Sequence, residues 1–234
     1  RTIDSMKEIR RIYSEQIENI RQLDYAPFTI RERAENYSIN FEEKRACYRA
    51  IENRTNEQLY NTPISRIVDH LYQGNIFGFE SIYRTGSCED SERNLIPIDY
   101  VVNLHGRISN DFHEPDMEID YLSIDDNALG FSQLVSKTTN EFIFDYDHLL
   151  FHKIFHKIDQ KLIQNKNVFI NCHIGRSRSS LLTCLYLTNR FHLNFEQVYG
   201  FLQRQRPIVW IHRDLEEQAK NYVDRILTAD LCGL

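Results

Sequence analysis

The chain has 234 residues, 41% of them hydrophobic and 26% charged, with only 8 glycines and 5 prolines. That is enough for one ample domain with an extension, and too little glycine and proline for long flexible linkers. The formal charge of −6 argues against nucleic acid or an acidic membrane surface as partner, and no run approaches the roughly 18 apolar residues of a membrane-spanning helix.

Residues 1 to about 60 carry a helical pattern. Ile3, Met6, Ile9, Tyr13, Ile17 and Ile20 recur at steps of three and four with charges between them. A stripe of this kind predicts a face packed on a neighbouring domain rather than a surface for a partner. The pattern breaks at Leu23–Pro27, and a second helix is expected over about Phe41–Tyr60. From Pro63 onward short apolar runs alternate with helical ones, the signature of an α/β domain. Strands are expected at Arg66–Tyr72, Tyr100–Leu104, Glu118–Ile124 and Asn167–Ile170. Helices are expected at about 133–163, 178–190, 194–204 and 213–228. The polar segment Arg84–Pro97 reads as an exposed loop. The organisation that follows is a helical extension over residues 1–62 and an α/β domain over 63–230.

Five cysteines, Cys47, Cys88, Cys172, Cys184 and Cys232, are odd in number and widely spaced. Without a CxxC pair they suggest neither a disulfide framework nor a zinc site, and a reducing, cytoplasmic setting is expected. One of them stands in a loop built for chemistry. Val168-Phe169-Ile170 reads as a buried strand, Cys172 to Arg178 as a tight loop, and the residues after it as a helix. Gly175 permits a left-handed backbone there. Successive loop amides can then turn inward as an anion nest, and the following helix adds the partial positive charge of its N-terminus. Arg178 offers a planar two-pronged grip on a phosphoryl group. A thiol at such a focus ionises more readily, and the thiolate is the nucleophile. Ser177 and Ser179 add hydroxyls, with Ser179 placed to ease departure of the thiolate. The spacing alone is weak: Cys184 and Arg190 repeat it inside an apolar helical run without glycine, where Cys184 reads as a core residue.

Cys172-His173-Ile174-Gly175-Arg176-Ser177-Arg178-Ser179 resembles the Cys-x-x-Gly-x-Ser-Arg-Ser signature of dual-specificity phosphatases, within the cysteine-dependent protein tyrosine phosphatase superfamily. Ile64–Gly74 is similar to the opening strand of those domains, Asp99–Leu104 to the next strand, and Arg206-Pro207-Ile208 to their C-terminal segment. The resemblance covers about residues 63–228. It implies a central mixed, mostly parallel sheet flanked by helices, and hydrolysis of phosphotyrosine and phosphoserine or phosphothreonine in proteins through a phosphocysteine. It also implies catalysis by Cys172, Arg178 and Ser179, substrate binding by His173, Ile174, Gly175, Arg176 and Ser177, and no metal or organic cofactor. By the same resemblance Trp210–Arg213 lie near the mouth of the site. Asn171 departs from the family pattern, which has histidine before the cysteine. Asparagine can also donate and accept, so altered thiol acidity is expected rather than lost activity.

A phosphomonoester needs its leaving oxygen protonated. In the resembling family an aspartate on the loop after the Tyr121–Ile124 strand does this. Asp126 is the choice, with Asp125 as the competing carboxylate, and both could instead cap the next helix. His173 and Arg176 put further positive charge on the loop, and lipid phosphatases resembling the superfamily carry basic residues at comparable positions. A phosphoinositide or other non-protein substrate is therefore the first alternative, and a phosphate-binding pseudophosphatase the second. His152 and His156, four apart, read as a solvated helix face rather than metal ligands. The sequence leaves the oligomeric state open.

Overall fold

Two tetrapeptides are dry along their whole length: Val168–Asn171 and Tyr100–Asn103. Strands buried on both faces belong in the middle of a covered sheet, and these two pair with each other in parallel. The structure, a computed structural model, describes residues 2–22, 62–105, 117–123, 134–136, 141–143, 148–212, 215–217, 219–220 and 223. Its strands in chain order are β1 (Ile64–Val68), β2 (Leu71–Gly74), β3 (Ser87–Glu89), β4 (Leu95–Pro97), β5 (Tyr100–Asn103), β6 (Glu118–Ser123), β7 (Leu134–Ser136), β8 (Glu141–Ile143) and β9 (Val168–Asn171). Its helices are α1 (Thr2–Ile12), α2 (Ser14–Gln22), α3 (Ile76–Thr85), α4 (His148–Ile163), α5 (Arg178–Phe191) and α6 (Phe195–Gln205). Seven strands form one mixed sheet in the order β1-β2-β9-β5-β6-β7-β8. The middle four, β2, β9, β5 and β6, run parallel, and the edges add antiparallel pairs.

Three expectations need correction. The single strand expected at Arg66–Tyr72 is two antiparallel strands, β1 and β2, turned at Asp69-His70. His70 takes φ +63°, a left-handed conformation that histidine adopts more readily than most residues. The helix expected from about 133 starts only at His148, and β7 and β8 stand before it as a hairpin on the sheet edge. Val135 and Ile143 are β-branched, stiff at χ1 and better suited to a strand. The segment 84–97 is not simply an exposed loop: β3 and β4 pair within it, and Cys88 is buried. Helix α3 escaped the sequence reading although both its ends carry signals. Asn75 caps it by accepting from the amides of Phe77 and Gly78, and Gly86 closes it at φ +77°. The helix expected over Phe41–Tyr60 lies outside the described residues.

Helix α5 is buried from Ser179 to Phe191 and forms the spine of the main core. The N-terminal stripe packs on it as expected. Ile9, Tyr13, Ile17 and Ile20 join the same core, and the Tyr13 ring lies 5.6 Å from that of Phe191. The Tyr13 hydroxyl donates to the Asp69 carbonyl (2.6 Å), and Gln16 exchanges two hydrogen bonds with Asp69. The junction of α1 with α2 and the first turn of α2 are thereby tied to the β1–β2 turn, 56 residues along the chain from Tyr13.

A buried polar cluster ties α1, α4 and α5 together. Asp159 accepts from the Arg190 Nε (3.0 and 3.1 Å), the Tyr186 hydroxyl (2.8 Å) and the Ser5 hydroxyl (3.5 Å). Asp159, Arg190 and Tyr186 are fully buried. Burial pushes the Asp159 carboxyl up, against the pull of Arg190 and Tyr186. Removing one partner leaves a buried charge unmatched, which costs about 3–5 kcal/mol, whereas replacing both with apolar groups is far cheaper. Arg190→Met is therefore expected to lower the melting temperature by roughly 10 °C. Asp159→Leu combined with Arg190→Met should recover part of that loss in a thermal melt. A double variant no more stable than the single one would show that the charge pair is not the cause.

Candidate active site

Strand β9 delivers Cys172 to the carboxyl end of the parallel strands, between β2 and β5. Open α/β sheets bind ligands at that end. The loop from Cys172 to Ser177 then enters α5 at Arg178.

The loop's shape follows from where its carbonyls go. The Cys172 carbonyl accepts from Asn171 Nδ2 (3.3 Å), and that of His173 from the Ile76 amide (3.0 Å). The Ile174 carbonyl accepts from Arg206 Nη2 (3.2 Å). The Gly175 carbonyl accepts from Arg206 Nε (2.9 Å) and Gln73 Nε2 (3.3 Å). The Arg176 carbonyl accepts from the Trp210 amide (2.9 Å) and the Ser180 hydroxyl (2.8 Å). Every one of these carbonyls is held from outside the loop. In a planar trans peptide the N–H points opposite the C=O, so the amides of residues 173–177 turn to the enclosed side. The Gly175 amide does so visibly, donating to the Cys172 Sγ at 3.3 Å. Gly175 sits at φ +73°, and a Cβ there would meet the Gly74 carbonyl oxygen at 2.5 Å and Arg206 Nη2 at 2.6 Å. Only glycine fits the turn.

Around the sulfur, Ser179 Oγ lies 3.2 Å from Cys172 Sγ, and both side chains are buried. Arg178 reaches the Leu104 carbonyl through Nη1 at 3.5 Å, which sets its guanidinium beside the end of β5. Ser177 turns the other way: its hydroxyl accepts from the His212 amide (3.0 Å), and it makes no side-chain cap on α5. The first-turn amides of α5 are thus not engaged by the Ser177 side chain, and a helix N-terminus favours an anion.

The remaining loop side chains separate. Ile174 packs with Ile208 in a small apolar pair. The Arg176 guanidinium lies over the Trp210 ring at 5.7 Å, so Trp210 serves in packing. His173 faces His105, with Nδ1 to Nε2 at 3.3 Å. Burial first, then the Arg178 charge, lowers the proton affinity of His173. Asn171 is fully buried, and its Oδ1 has no partner among the described residues.

Asp125 and Asp126 lie outside the described residues. Cys184 is enclosed in α5, and burial, with a smaller push from Glu216, drives its thiol well up. Burial also pushes the Cys88 thiol up to about 11. Among the described residues no group of three or more His, Cys, Asp or Glu side chains is placed to hold a metal. Sequence reasoning missed Gln73, Asn103, His105, Ser180 and the role of Arg206. Gln73, His105 and Arg206 touch the loop from distant points of the chain, Ser180 bonds the Arg176 carbonyl from the first turn of α5, and Asn103 holds the His105 amide at the end of β5.

The model of the dual specificity phosphatase catalytic domain matches residues 83–223, more than half of the chain. In sequence, AMV078 of Amsacta moorei entomopoxvirus, which bears a tyrosine-protein phosphatase name, is 37% identical over 70 residues. That match covers 30% of this chain and 40% of the viral protein, so the chain matches less than half the length of that relative. In structure, a mouse protein solved with zinc tungstate and named for the dual specificity phosphatases is similar with a TM-score of 0.52. It is 16% identical, and the match covers 75% of this chain and 95% of that one. Human DUSP28 is similar with a TM-score of 0.51 at 14% identity, over 70% of this chain and 95% of that one. These two likenesses show the fold. By the family match, the chain belongs to the dual specificity phosphatase catalytic-domain family.

Proposed function

We propose that this dual specificity phosphatase domain, spanning residues 63–230, hydrolyses phosphotyrosine and phosphoserine or phosphothreonine in proteins through a phosphocysteine. The observation that carries the reading is the Cys172 sulfur at 3.3 Å from an inward loop amide, inside a loop whose carbonyls are all held from outside. Such an array favours negative charge and suits a trigonal-bipyramidal phosphoryl group better than a neutral ligand.

The reaction has two displacements. The Cys172 thiolate attacks phosphorus, an S–P bond forms, and the P–O bond to the leaving group breaks. Asp126 protonates that oxygen. Arg178 and the amides of His173, Ile174, Gly175, Arg176 and Ser177 hold the three equatorial oxygens. Water then attacks phosphorus, Asp126 takes its proton, and the S–P bond breaks to release phosphate and the thiolate. The Ser179 hydroxyl, 3.2 Å from the sulfur, donates to the departing thiolate. Side chains, loop amides and water carry every charge and proton in this scheme, so it calls for no metal. A thiol nucleophile works only when reduced, which suits a reducing compartment such as the cytoplasm.

The test is hydrolysis of para-nitrophenyl phosphate in reducing buffer with chelator, followed by acid quench and mass spectrometry. Phosphate on the Cys172 peptide is the expected result. Its absence in turning-over protein would count against the covalent route. Asp126→Ala should slow turnover of an alkyl phosphate by about 10²-fold or more and spare an activated aryl ester, whose leaving group needs less help. If Asp125→Ala has that profile instead, the acid is the neighbouring carboxylate.

A further inference from the structure

Gln73 is the penultimate residue of β2, and the strand is packed tightly where it stands. A Cβ on the following Gly74 would meet the Pro63 carbonyl oxygen at 1.9 Å and the Phe169 ring at 2.7 Å. In the parallel pairing with β9, Gln73 lies opposite Ile170, and its side chain is fully buried. Nε2 donates to the Ser180 hydroxyl in α5 at 2.7 Å and to the Gly175 carbonyl at 3.3 Å. The carboxamide fits in one orientation. Ser180 has a single hydroxyl proton, which goes to the Arg176 carbonyl at 2.8 Å, so toward Gln73 it accepts. Turned over, the carboxamide would set Oε1 against the Gly175 carbonyl oxygen, acceptor against acceptor.

A peptide plane joins a carbonyl to the next residue's N–H and points the two in opposite directions. The Gly175 carbonyl thus aims the Arg176 N–H, and the Arg176 carbonyl aims the Ser177 N–H. Gln73 holds the first carbonyl directly and the second through Ser180. Hydrogen bonds in a chain polarise one another, so the hydroxyl that accepts from Gln73 is the stronger donor to Arg176. The amide at the sulfur is a different one. The Gly175 N–H, 3.3 Å from Cys172 Sγ, belongs to the preceding peptide, whose Ile174 carbonyl is held by Arg206.

The arrangement opposes the stability of the fold. Gln73 Oε1 is buried and has no partner among the described residues, and an unmatched buried acceptor is destabilising. Neither loop carbonyl needs the relay to be satisfied. Gly175 also accepts from Arg206 Nε (2.9 Å), and Arg176 from the Trp210 amide (2.9 Å). An apolar side chain at position 73 would serve packing better. Resting on the phosphatase reading above, we propose that Gln73, acting directly and through Ser180, is a positioning residue for phosphoryl transfer. It aims the Arg176 and Ser177 amides at the equatorial oxygens, leaves the Cys172 thiol as it is, and does so at the expense of stability.

The experiment compares the wild type with Gln73→Met, Ser180→Ala and the double variant. Methionine has a similar length, no donor and no oxygen to leave unmatched. Three quantities are read: kcat on para-nitrophenyl phosphate, the midpoint of the pH profile for alkylation of Cys172 by iodoacetamide, and the melting temperature. Gln73→Met is expected to lower kcat by about tenfold, less than the loss of roughly 10²-fold or more when an oxyanion donor is removed outright. The alkylation midpoint should stay at the wild-type value, because Arg206 still holds the peptide whose N–H faces the sulfur. The melting temperature should equal or exceed that of the wild type, most clearly in the double variant, where alanine also suits a helix better than serine. Side chains acting in series should make the double variant lose less than the product of the single losses. A kcat within about twofold of the wild type in Gln73→Met and the double variant overturns the proposal. So does a fall in kcat that comes with a lower melting temperature, the pattern of a merely structural role. An alkylation midpoint displaced far enough to account for the rate loss moves the effect to the thiol and overturns it too. Losses that multiply overturn the relay through Ser180. If the wild type turns over no phosphoester, the phosphatase reading fails instead, and the aiming of the two amides is read from vanadate binding by calorimetry. Equal affinity in the wild type and Gln73→Met overturns it, and weaker binding in the variant supports it.

Discussion

Replacement of Cys172 by serine is expected to abolish hydrolysis of para-nitrophenyl phosphate while leaving phosphate binding intact. The two side chains are nearly isosteric, and the Cys172 position is buried between the Gly175 amide and the Ser179 hydroxyl. A serine oxygen can accept from the same amide, so the loop keeps its shape. What is lost is the nucleophile. A thiol supplies a thiolate by itself, whereas a hydroxyl needs a base close by, and no side-chain base contacts the Cys172 sulfur among the described residues. The expected loss is on the order of 10⁴-fold or more in kcat/KM. Binding gives the control. Vanadate or phosphate at about 100 times its Kd stabilises a folded site by roughly 2.7 kcal/mol, or about 5–10 °C in a domain of this size. That shift should appear in the wild type and the serine variant alike. Retained turnover would remove Cys172 from the mechanism. Loss of both turnover and the thermal shift would mean that the loop itself had collapsed.

The parts of this molecule that could be read from the sequence are those governed by neighbours in the chain. The apolar run Asn167–Ile170 announced the strand that spans Val168–Asn171, and the helix expected at about 178–190 is α5. The left-handed backbone that Gly175 permits is likewise a local matter, and φ +73° agrees. The N-terminal stripe was legible for the same reason, because helical periodicity marks which face is buried without naming what buries it. The failures have the opposite character. Val135 and Phe142 carry enough apolar weight to extend a helix pattern backward, and only the pairing of β7 with β6 and of β8 with β7 shows that they belong to a sheet edge. Asp69-His70 looked like the middle of one strand because a two-residue turn leaves almost no trace in composition. Gln73, His105 and Arg206 act on the loop from 102, 68 and 31 residues away, and spacing rules have no reach over such distances. Asn171 is a mixed case. Its departure from the family's histidine was visible in sequence, whereas its bond to the Cys172 carbonyl and its unmatched Oδ1 required coordinates.

The same long-range logic makes Arg206 a position whose loss should damage the site although it touches no substrate. Its guanidinium is buried and donates in two directions. Nε and Nη2 hold the Gly175 and Ile174 carbonyls, while Nη1 holds the Thr62 carbonyl (2.6 Å) and the Ser65 hydroxyl (3.0 Å). A cation behind those two carbonyls keeps the peptides oriented with their amides inward. It also polarises them, so that the amides become stronger donors to the bound phosphoryl group. Arg206→Ala leaves buried acceptors unmatched, each costing about 1–3 kcal/mol. It also frees the loop to rotate its amides away. A misplacement near 1 Å is enough to cost about 10²-fold in rate, so kcat/KM should fall by at least that much, together with a clear drop in melting temperature. Arg206→Lys separates the two effects. It keeps the charge, yet one ammonium cannot reach both pairs of acceptors, so stability should recover further than kcat. Guanidinium ion at millimolar concentration should restore part of the alanine variant's activity by filling the vacated space. An alanine variant that melts lower but turns over normally would confine Arg206 to holding the fold. A lysine variant with full activity would show that charge alone, without the two-directional hydrogen bonding, is what the loop requires.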